Sequence, residues 1–289
     1  MAPGTTQQAS VSGQPSPDSA SSLTPPAIRT EGLVLTHGER VALTGVDLCL
    51  DAGQVIALIG PNGSGKSTLM DSIAGVHRPS AGTIEVFGRP PGEVPIAYVF
   101  QATHVPAHLP LTVREVVRMG RYRTTGLLRR IGNDGREAVA RAIQRLDLGD
   151  LANRQLQELS GGQRQRVLVA QGLAAEADML MLDEPMTGLD VVARDRILRI
   201  IREEVDAGRT VMFSTHDMGE AFLADQVVLL AGRLVSVGEP AVALARKNLD
   251  IAYMSQLGTT GDGSAILDDA HHHDHHHHVL DHHHDHPHH

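Results

Sequence analysis

Cysteine is nearly absent from this chain. Cys49 stands alone, so no intramolecular disulfide braces the fold. It sits in the alternating run Val46-Asp47-Leu48-Cys49-Leu50 and is expected to be a small core residue. Lysine is scarce too, with Lys66 and Lys247 set against twenty-three arginines. A chain that otherwise carries positive charge on arginine keeps lysine where a compact ammonium sits among phosphate oxygens. Positive charge as a whole is in deficit: 25 Lys and Arg face 34 Asp and Glu, for a formal net charge of −9. That balance speaks against non-specific nucleic-acid binding. No apolar run reaches eighteen residues and the start is not basic-then-apolar, so the expectation is a cytoplasmic chain with neither a membrane span nor a secretion signal. With 289 residues, 41% of them hydrophobic, the chain can bury one substantial core or two small ones.

What is present centres on one stretch. Gly60-Pro61-Asn62-Gly63-Ser64-Gly65-Lys66-Ser67-Thr68 follows the apolar run 55–59 and precedes a helix-like segment, 69–75. The glycines permit a turn whose successive N–H groups point inward at an anion, and the helix aims its positive end at the same spot. In such a loop Lys66 bridges the β- and γ-phosphates and Ser67 offers its hydroxyl to Mg²⁺.

Residues 1–27 are rich in Ser, Thr, Gln, Pro and Ala and are expected to be a disordered leader. Residues 28–36, 41–50 and 82–87 read as strands of an antiparallel layer, and 96–100 as a buried strand ending at Gln101. From about 104 to 159 the strand signal gives way to amphipathic helices, near 111–119 and 137–148. Arg114, Arg118, Arg121, Arg123, Arg129 and Arg130 lie among them, as a basic docking patch or as a solvated helix face. Alternation then returns: helix 163–175, strand 179–182, helix 191–206, strand 210–214, a short helix from 218, and strands 227–230 and 234–237. The fold class is therefore α/β: a mostly parallel sheet covered by helices, with an antiparallel β layer and an inserted α-helical subdomain.

Two further patterns carry chemistry. The strand Met179-Leu180-Met181-Leu182 ends in Asp183 and Glu184. Paired acids at a strand end can cap the next helix. Beside a phosphate loop they can instead orient Mg²⁺, through Asp183, and polarise the attacking water, through Glu184. Leu159-Ser160-Gly161-Gly162-Gln163 forms a second anion-ready turn before a helix. One chain with one nucleotide loop has no evident use for two cradles, whereas two copies facing head to tail do.

These motifs, in this order, resemble the nucleotide-binding subunit of ATP-binding cassette (ABC) transporters over residues 28–240. The resemblance implies that the α/β core is of the P-loop NTPase (RecA-like) kind, that 60–68 is Walker A, 159–163 the signature sequence, and Asp183 with Glu184 Walker B. It makes Gln101 the Q-loop glutamine, which joins the Mg²⁺ site and signals to a transmembrane permease. Gly188-Leu189-Asp190 becomes the D-loop and His216 the switch histidine. Glu184, His216, Gln101 and Lys66 are thus the expected catalytic residues. ATP is expected on 60–68, with Ser160, Gly161, Gly162, Gln163 and Asp190 supplied by the second copy. Two departures stand out: His37 occupies the place of the usual aromatic adenine platform, and Phe100 rather than proline precedes Gln101. Met119-Gly120-Arg121-Tyr122 and 126–130 are similar to the helical subdomain of ATPases serving zinc and manganese importers, and iron-chelate importers carry a like stretch. The resemblance therefore implies a peripheral subunit on the cytoplasmic membrane face, with the cassette at 28–250 and an extracytoplasmic metal-binding protein as an indirect partner.

The flexible tail expected at 251–289 is His-rich from 271. His271, His272, His273, His275, His276, His277 and His278 surround Asp274, and His282, His283 and His284 follow Asp281. Imidazoles with interspersed carboxylates suit Zn²⁺, Ni²⁺ and Cu²⁺ better than Mn²⁺ or Mg²⁺. An added tag is usually an unbroken run, so the interruptions favour a native metal-binding tail. The expected reading is an ATPase energising import of a divalent metal, zinc first and manganese next. The alternatives are an iron-chelate importer, a non-transport ABC ATPase and a metal-binding regulatory protein.

Overall fold

The computed structural model describes residues 25–38, 40–101, 110–126 and 131–254. The expected leader up to residue 24, Arg129 and Arg130, and the histidine tail lie outside the described residues.

Strands β1 (Ile28–His37), β2 (Arg40–Leu50) and β4 (Ala81–Val86) form an antiparallel sheet of order β2-β1-β4. In β2 the period of two turns Val46, Leu48 and Leu50 inward. Cys49 therefore takes the outer face and is exposed, which corrects the expectation of a core cysteine.

The second sheet contains β3 (Val55–Ile59), β5 (Ile96–Val99), β6 (Met179–Leu182), β7 (Thr210–Thr215), β8 (Gln226–Leu230) and β9 (Leu234–Gly238). Its order is β5-β6-β7-β3-β8-β9, parallel except for β9. Strands covered on both faces need continuous apolar runs, and β3, β6 and β7 are buried at every position. The sheet separates two cores. Val55, Ala57 and Ile59 enter one, with the helices; Ile56 and Leu58 enter the other, under the antiparallel layer.

Helix α1 (Lys66–Ile73) packs Leu69, Met70 and Ile73 into the second core. The inserted block holds α2 (Val113–Met119), α3 (Tyr122–Thr125) and α4 (Asn133–Arg145), which lead into α5 (Gly161–Ala174). α2 begins at Val113 because Thr112 and Glu115 form a reciprocal cap: Glu115 N–H donates to Thr112 Oγ1 at 3.3 Å and Thr112 N–H to Glu115 Oε2 at 2.8 Å. α4 begins at Asn133 rather than 137 because Gly135 and Ala138 extend its buried face, and small residues escape a count of large apolar ones. It stops at Arg145, just before Asp147 turns left-handed at φ 54°.

Helices α6 (Val191–Asp206), α7 (Met218–Ala221), α8 (Pro240–Ala243) and α9 (Arg246–Met254) complete the chain. Two boundaries move outward. Ala27, expected in the leader, is fully buried, and residues 251–254, expected in the tail, are the last turn of α9. Among the described residues no helix is long and apolar enough to cross a membrane.

Candidate functional site

Strand register assembles the site. Ile59 pairs with Thr215, Phe213 with Leu182, and Leu182 with Val99. Gly60, His216, Asp183 and Gln101 therefore leave the sheet at one edge, the carboxyl end, where open α/β sheets bind ligands.

The loop after β3 turns through Gly60, Gly63 and Gly65, at φ 156°, 76° and 99°. A Cβ on Gly60 would lie 2.1 Å from Leu230 O, and one on Gly65 would lie 2.5 Å from Leu43 Cγ, so close packing as well as dihedral freedom demands glycine. The loop borders a cavity of about 570 Å³ lined by His37, Arg40, Val41, residues 62–68 and Glu184. Lys66 is 7% exposed and its ammonium donates to Gly60 O at 2.8 Å and Pro61 O at 3.1 Å, which engages two of its three N–H donors. Burial pushes its pKa below the ordinary 10.5, against the opposite pull of Glu184 and Asp183. Ser64 Oγ is buried with no hydrogen-bond partner among the described residues. A polyphosphate fits these residues: it would meet the third lysine donor and the orphaned hydroxyl together.

The carboxylates stand opposite. Ser67 Oγ donates to Asp183 Oδ2 at 3.3 Å, and the fully buried Ser214 donates to Asp183 Oδ1 at 2.5 Å. This hydroxyl–carboxylate pairing suits Mg²⁺, a hard cation that takes oxygen ligands. Glu184 holds a left-handed backbone, φ 46°, that is uncommon outside glycine. Its N–H donates to Ser214 Oγ at 2.9 Å, and its Oε2 accepts from Gln101 Nε2 and Thr187 Oγ1, each at 3.2 Å. His216 Nδ1 lies 3.9 Å from Glu184 Oε1, on a side chain that is 63% exposed.

The loop carrying His216 is tied down from below. Thr215 Oγ1 donates to the buried Glu220, and Arg194 of α6 reaches Glu220 Oε1 at 3.2 Å and Asp217 Oδ2 at 3.4 Å. The Asp217 carboxyl lies below its ordinary range, chiefly through the Glu220 N–H and with help from Arg194.

The turn at residues 159–163 lies elsewhere. Ser160 caps α5, accepting from Gln163 N–H at 3.3 Å while its own N–H donates to Gln163 Oε1 at 2.9 Å. Ser160 and Gly161 are exposed and, with Gly162 and Gln163, stand outside the lining of the cavity beside the glycine loop. A Cβ on Gly162 would come 3.2 Å from Leu189 Cδ2. Asp190 caps α6, accepting from Ala193 N–H at 2.7 Å, and it too is outside that lining. Sequence reasoning missed Arg40 and Val41 on the cavity, Ser214 between the two acids, and the Thr215–Glu220–Arg194 tie. The one available signal was Ser214-Thr215, two hydroxyls closing a buried strand.

Fold and site together define a P-loop nucleoside triphosphatase. The sequence profile of the ABC transporter family matches residues 43–187. The chain is 34% identical over 251 residues to the chelated iron transport system membrane protein YfeB of Yersinia pestis, covering 84% of this chain and 85% of that one. It is 34% identical over 257 residues to the zinc transport system ATP-binding protein TroB of Treponema pallidum, covering 88% and 97%. Further relatives are named for manganese transport and for hemin import. A solved metal-chelate type ABC transporter in an inward-facing conformation superposes with a TM-score of 0.70 at 30% identity, covering 79% of this chain and 89% of that one. The chain belongs to the ABC transporter family. It is an ATP-binding subunit, an ATPase, and it groups with the subunits of metal and metal-chelate importers.

Proposed function

We propose that this subunit hydrolyses ATP to drive import of a divalent metal ion, zinc first and manganese next. The cassette, residues 28–250 with its helical subdomain, works on the cytoplasmic membrane face beneath a transmembrane permease. An extracytoplasmic metal-binding protein feeds that permease. The observation that carries the zinc reading is the tail. Residues 255–289 hold thirteen His and six Asp, whereas the described residues contain no cluster of three His, Cys, Asp or Glu able to hold a metal.

ATP with Mg²⁺ supplies the phosphoanhydride bond and the charge neutralisation that lets it break. The chain's own residues do the rest. Lys66 and the N–H groups of residues 60–68 hold the phosphates, and His37 offers its ring to the adenine. Ser67, Gln101 and Asp183 would hold the Mg²⁺, directly or through water. Glu184 takes the proton of the attacking water, and Gln101 and Thr187, already hydrogen-bonded to it, orient its carboxylate. His216, beside the same carboxylate, contacts the γ-phosphate. Ser160, Gly161, Gly162, Gln163 and Asp190 stand outside their own phosphate cavity, which supports their use by a second copy packed head to tail. In that closed dimer electrostatic clamping performs most of the catalysis.

The similarity to YfeB, named for chelated iron, favours an iron-chelate importer as the second reading. ATPase activity of the chain reconstituted with its permease and binding protein decides between them. Stimulation by zinc is the expected result. Stimulation by manganese alone, or by an iron chelate alone, removes zinc as cargo.

A further inference from the structure

The groove between α2 and α4 is a cavity of about 460 Å³ lined by Arg114, Arg118, Arg136, Ile131 and Val139. Its floor is apolar, since Ile131 and Val139 are 4% and 6% exposed. Its rim is three arginines, whose guanidinium groups make no hydrogen bond or ion pair among the described residues. Of the neighbouring acids, Glu115 folds back onto Thr112, whose hydrogen bonds, with help from the nearby Arg118, hold its carboxyl below the ordinary range, and Glu137 pairs with Arg141 at 3.7 Å. Other arginine-lined cavities differ. Arg141, Arg145 and Arg209 beside α4 are all paired with glutamates, and the cavity along α6 mixes Asp195 with its arginines. Arg121 and Arg123, near in sequence, are engaged by Ala174 O and Glu176 and by Gly92 O and Val94 O respectively.

We infer that the segment Ile266-Leu267-Asp268-Asp269 of this chain's own tail docks in the arginine groove, and that zinc binding to the tail releases it. The segment offers two apolar side chains for the floor and two carboxylates for the rim. Arginine and carboxylate make charge-assisted, bidentate contacts. Residues 255–289 carry six Asp and no Lys or Arg, so their charge complements the groove throughout. Asp268 stands fourteen positions after Met254, and an extended chain of that length spans about 45 Å, comparable with the width of a domain this size. Histidines 271–273 and Asp274 follow the segment directly. Each Zn²⁺ held by neutral imidazoles adds two positive charges, and a carboxylate recruited as a zinc ligand is lost to arginine. Three ions balance the six carboxylates. The release step rests on the proposed reading of the tail as a zinc binder; the docking does not.

The test uses the full chain with Cys49→Ser and spin labels at Ala270→Cys and Gln144→Cys, the latter an exposed site on α4. Pulsed dipolar spectroscopy of chelator-treated protein is expected to give a narrow short-distance component. Asp268→Asn with Asp269→Asn, which leaves the described residues untouched, should reduce that component at least about fivefold. Arg114→Glu with Arg118→Glu should do the same. Saturating ZnCl₂ should abolish it, with bound zinc measured on the same sample. A broad distribution in the metal-free protein, or a narrow component that survives both charge changes, overturns the docking. Zinc bound with the component unchanged overturns the release. No zinc bound by the full chain refutes the earlier reading of the tail instead.

Discussion

Ser214 is the residue on which both site carboxylates depend. Its hydroxyl donates to Asp183 Oδ1 at 2.5 Å and accepts the Glu184 N–H at 2.9 Å, in a position that is fully buried. Ser214→Ala removes almost no volume, so packing contributes little to its effect. A hydrogen bond to a charged group contributes about 1.5–3 kcal/mol, and a buried N–H left unpaired costs about 1–3 kcal/mol. Both losses share one hydroxyl and do not simply add, so the expected destabilisation is about 2–4 kcal/mol. At about 2–4 °C per kcal/mol for a domain of this size, Tm should fall by roughly 5–15 °C. Function should change in a defined way. Asp183 keeps only the longer 3.3 Å contact to Ser67, and the left-handed backbone of Glu184 loses its N–H anchor. The Mg²⁺ concentration for half-maximal ATPase activity should therefore rise several-fold, and kcat should fall more than nucleotide affinity. Thermal unfolding and an ATPase titration with Mg²⁺ measure these effects. A Tm within about 2 °C of wild type together with an unchanged Mg²⁺ requirement would refute the reasoning.

Three further predictions follow from the same geometry. His37→Tyr enlarges the stacking surface at the mouth of the cavity and should tighten ATP binding by about 2- to 10-fold; unchanged or weaker affinity in a fluorescent-nucleotide titration means that His37 is not the adenine platform. Lys66 has a pKa lowered by burial, and only its ammonium form holds phosphate, so ATP affinity should fall as pH rises through that lowered value. A titration that stays flat until the ordinary lysine range near 10.5 contradicts this. Arg145 of α4 binds Glu204 Oε1 at 2.5 Å and Glu203 Oε2 at 2.7 Å on α6. Arg209 also holds Glu204, and Arg145 is 30% exposed, so Arg145→Met should cost only about 1–2 kcal/mol. It should speed hydrogen exchange in α4 without changing ATP affinity; unaltered exchange there would remove the ion triad as the tie between helical block and core.

The parts of the fold that were legible are those in which one local signal decides the outcome. Strand Met179–Leu182 and helix Val191–Asp206 match their expected bounds. A short continuous apolar run bounded by turn residues suits a strand buried on both faces. The 3.6-residue period with an Asp cap marks a helix. Cys49 was misplaced because an alternating run specifies which residues share a face, not which face is inward. The start of α4 was hidden because Gly135 and Ala138 line its buried side. In the site, each strand-end residue could be read from its own motif. The contacts that hold them could not. Ser214 meets Asp183 from 31 positions away, and Arg194 meets Asp217 across 23. Such pairs exist only once parallel strands are in register: the hydroxyls of Ser214 and Thr215 at the end of a buried strand signal that polar partners exist, but not which residues they are.

In the proposed mechanism Glu184 activates water in a site completed by a second copy. Sedimentation of the Glu184→Gln chain with and without MgATP, with bound nucleotide counted, tests it most directly. The expected result is a monomer without nucleotide and a dimer retaining two intact ATP molecules with it, a dimer that Ser160→Arg prevents. A monomer at saturating MgATP, or hydrolysis by Glu184→Gln at near the wild-type rate, would contradict it.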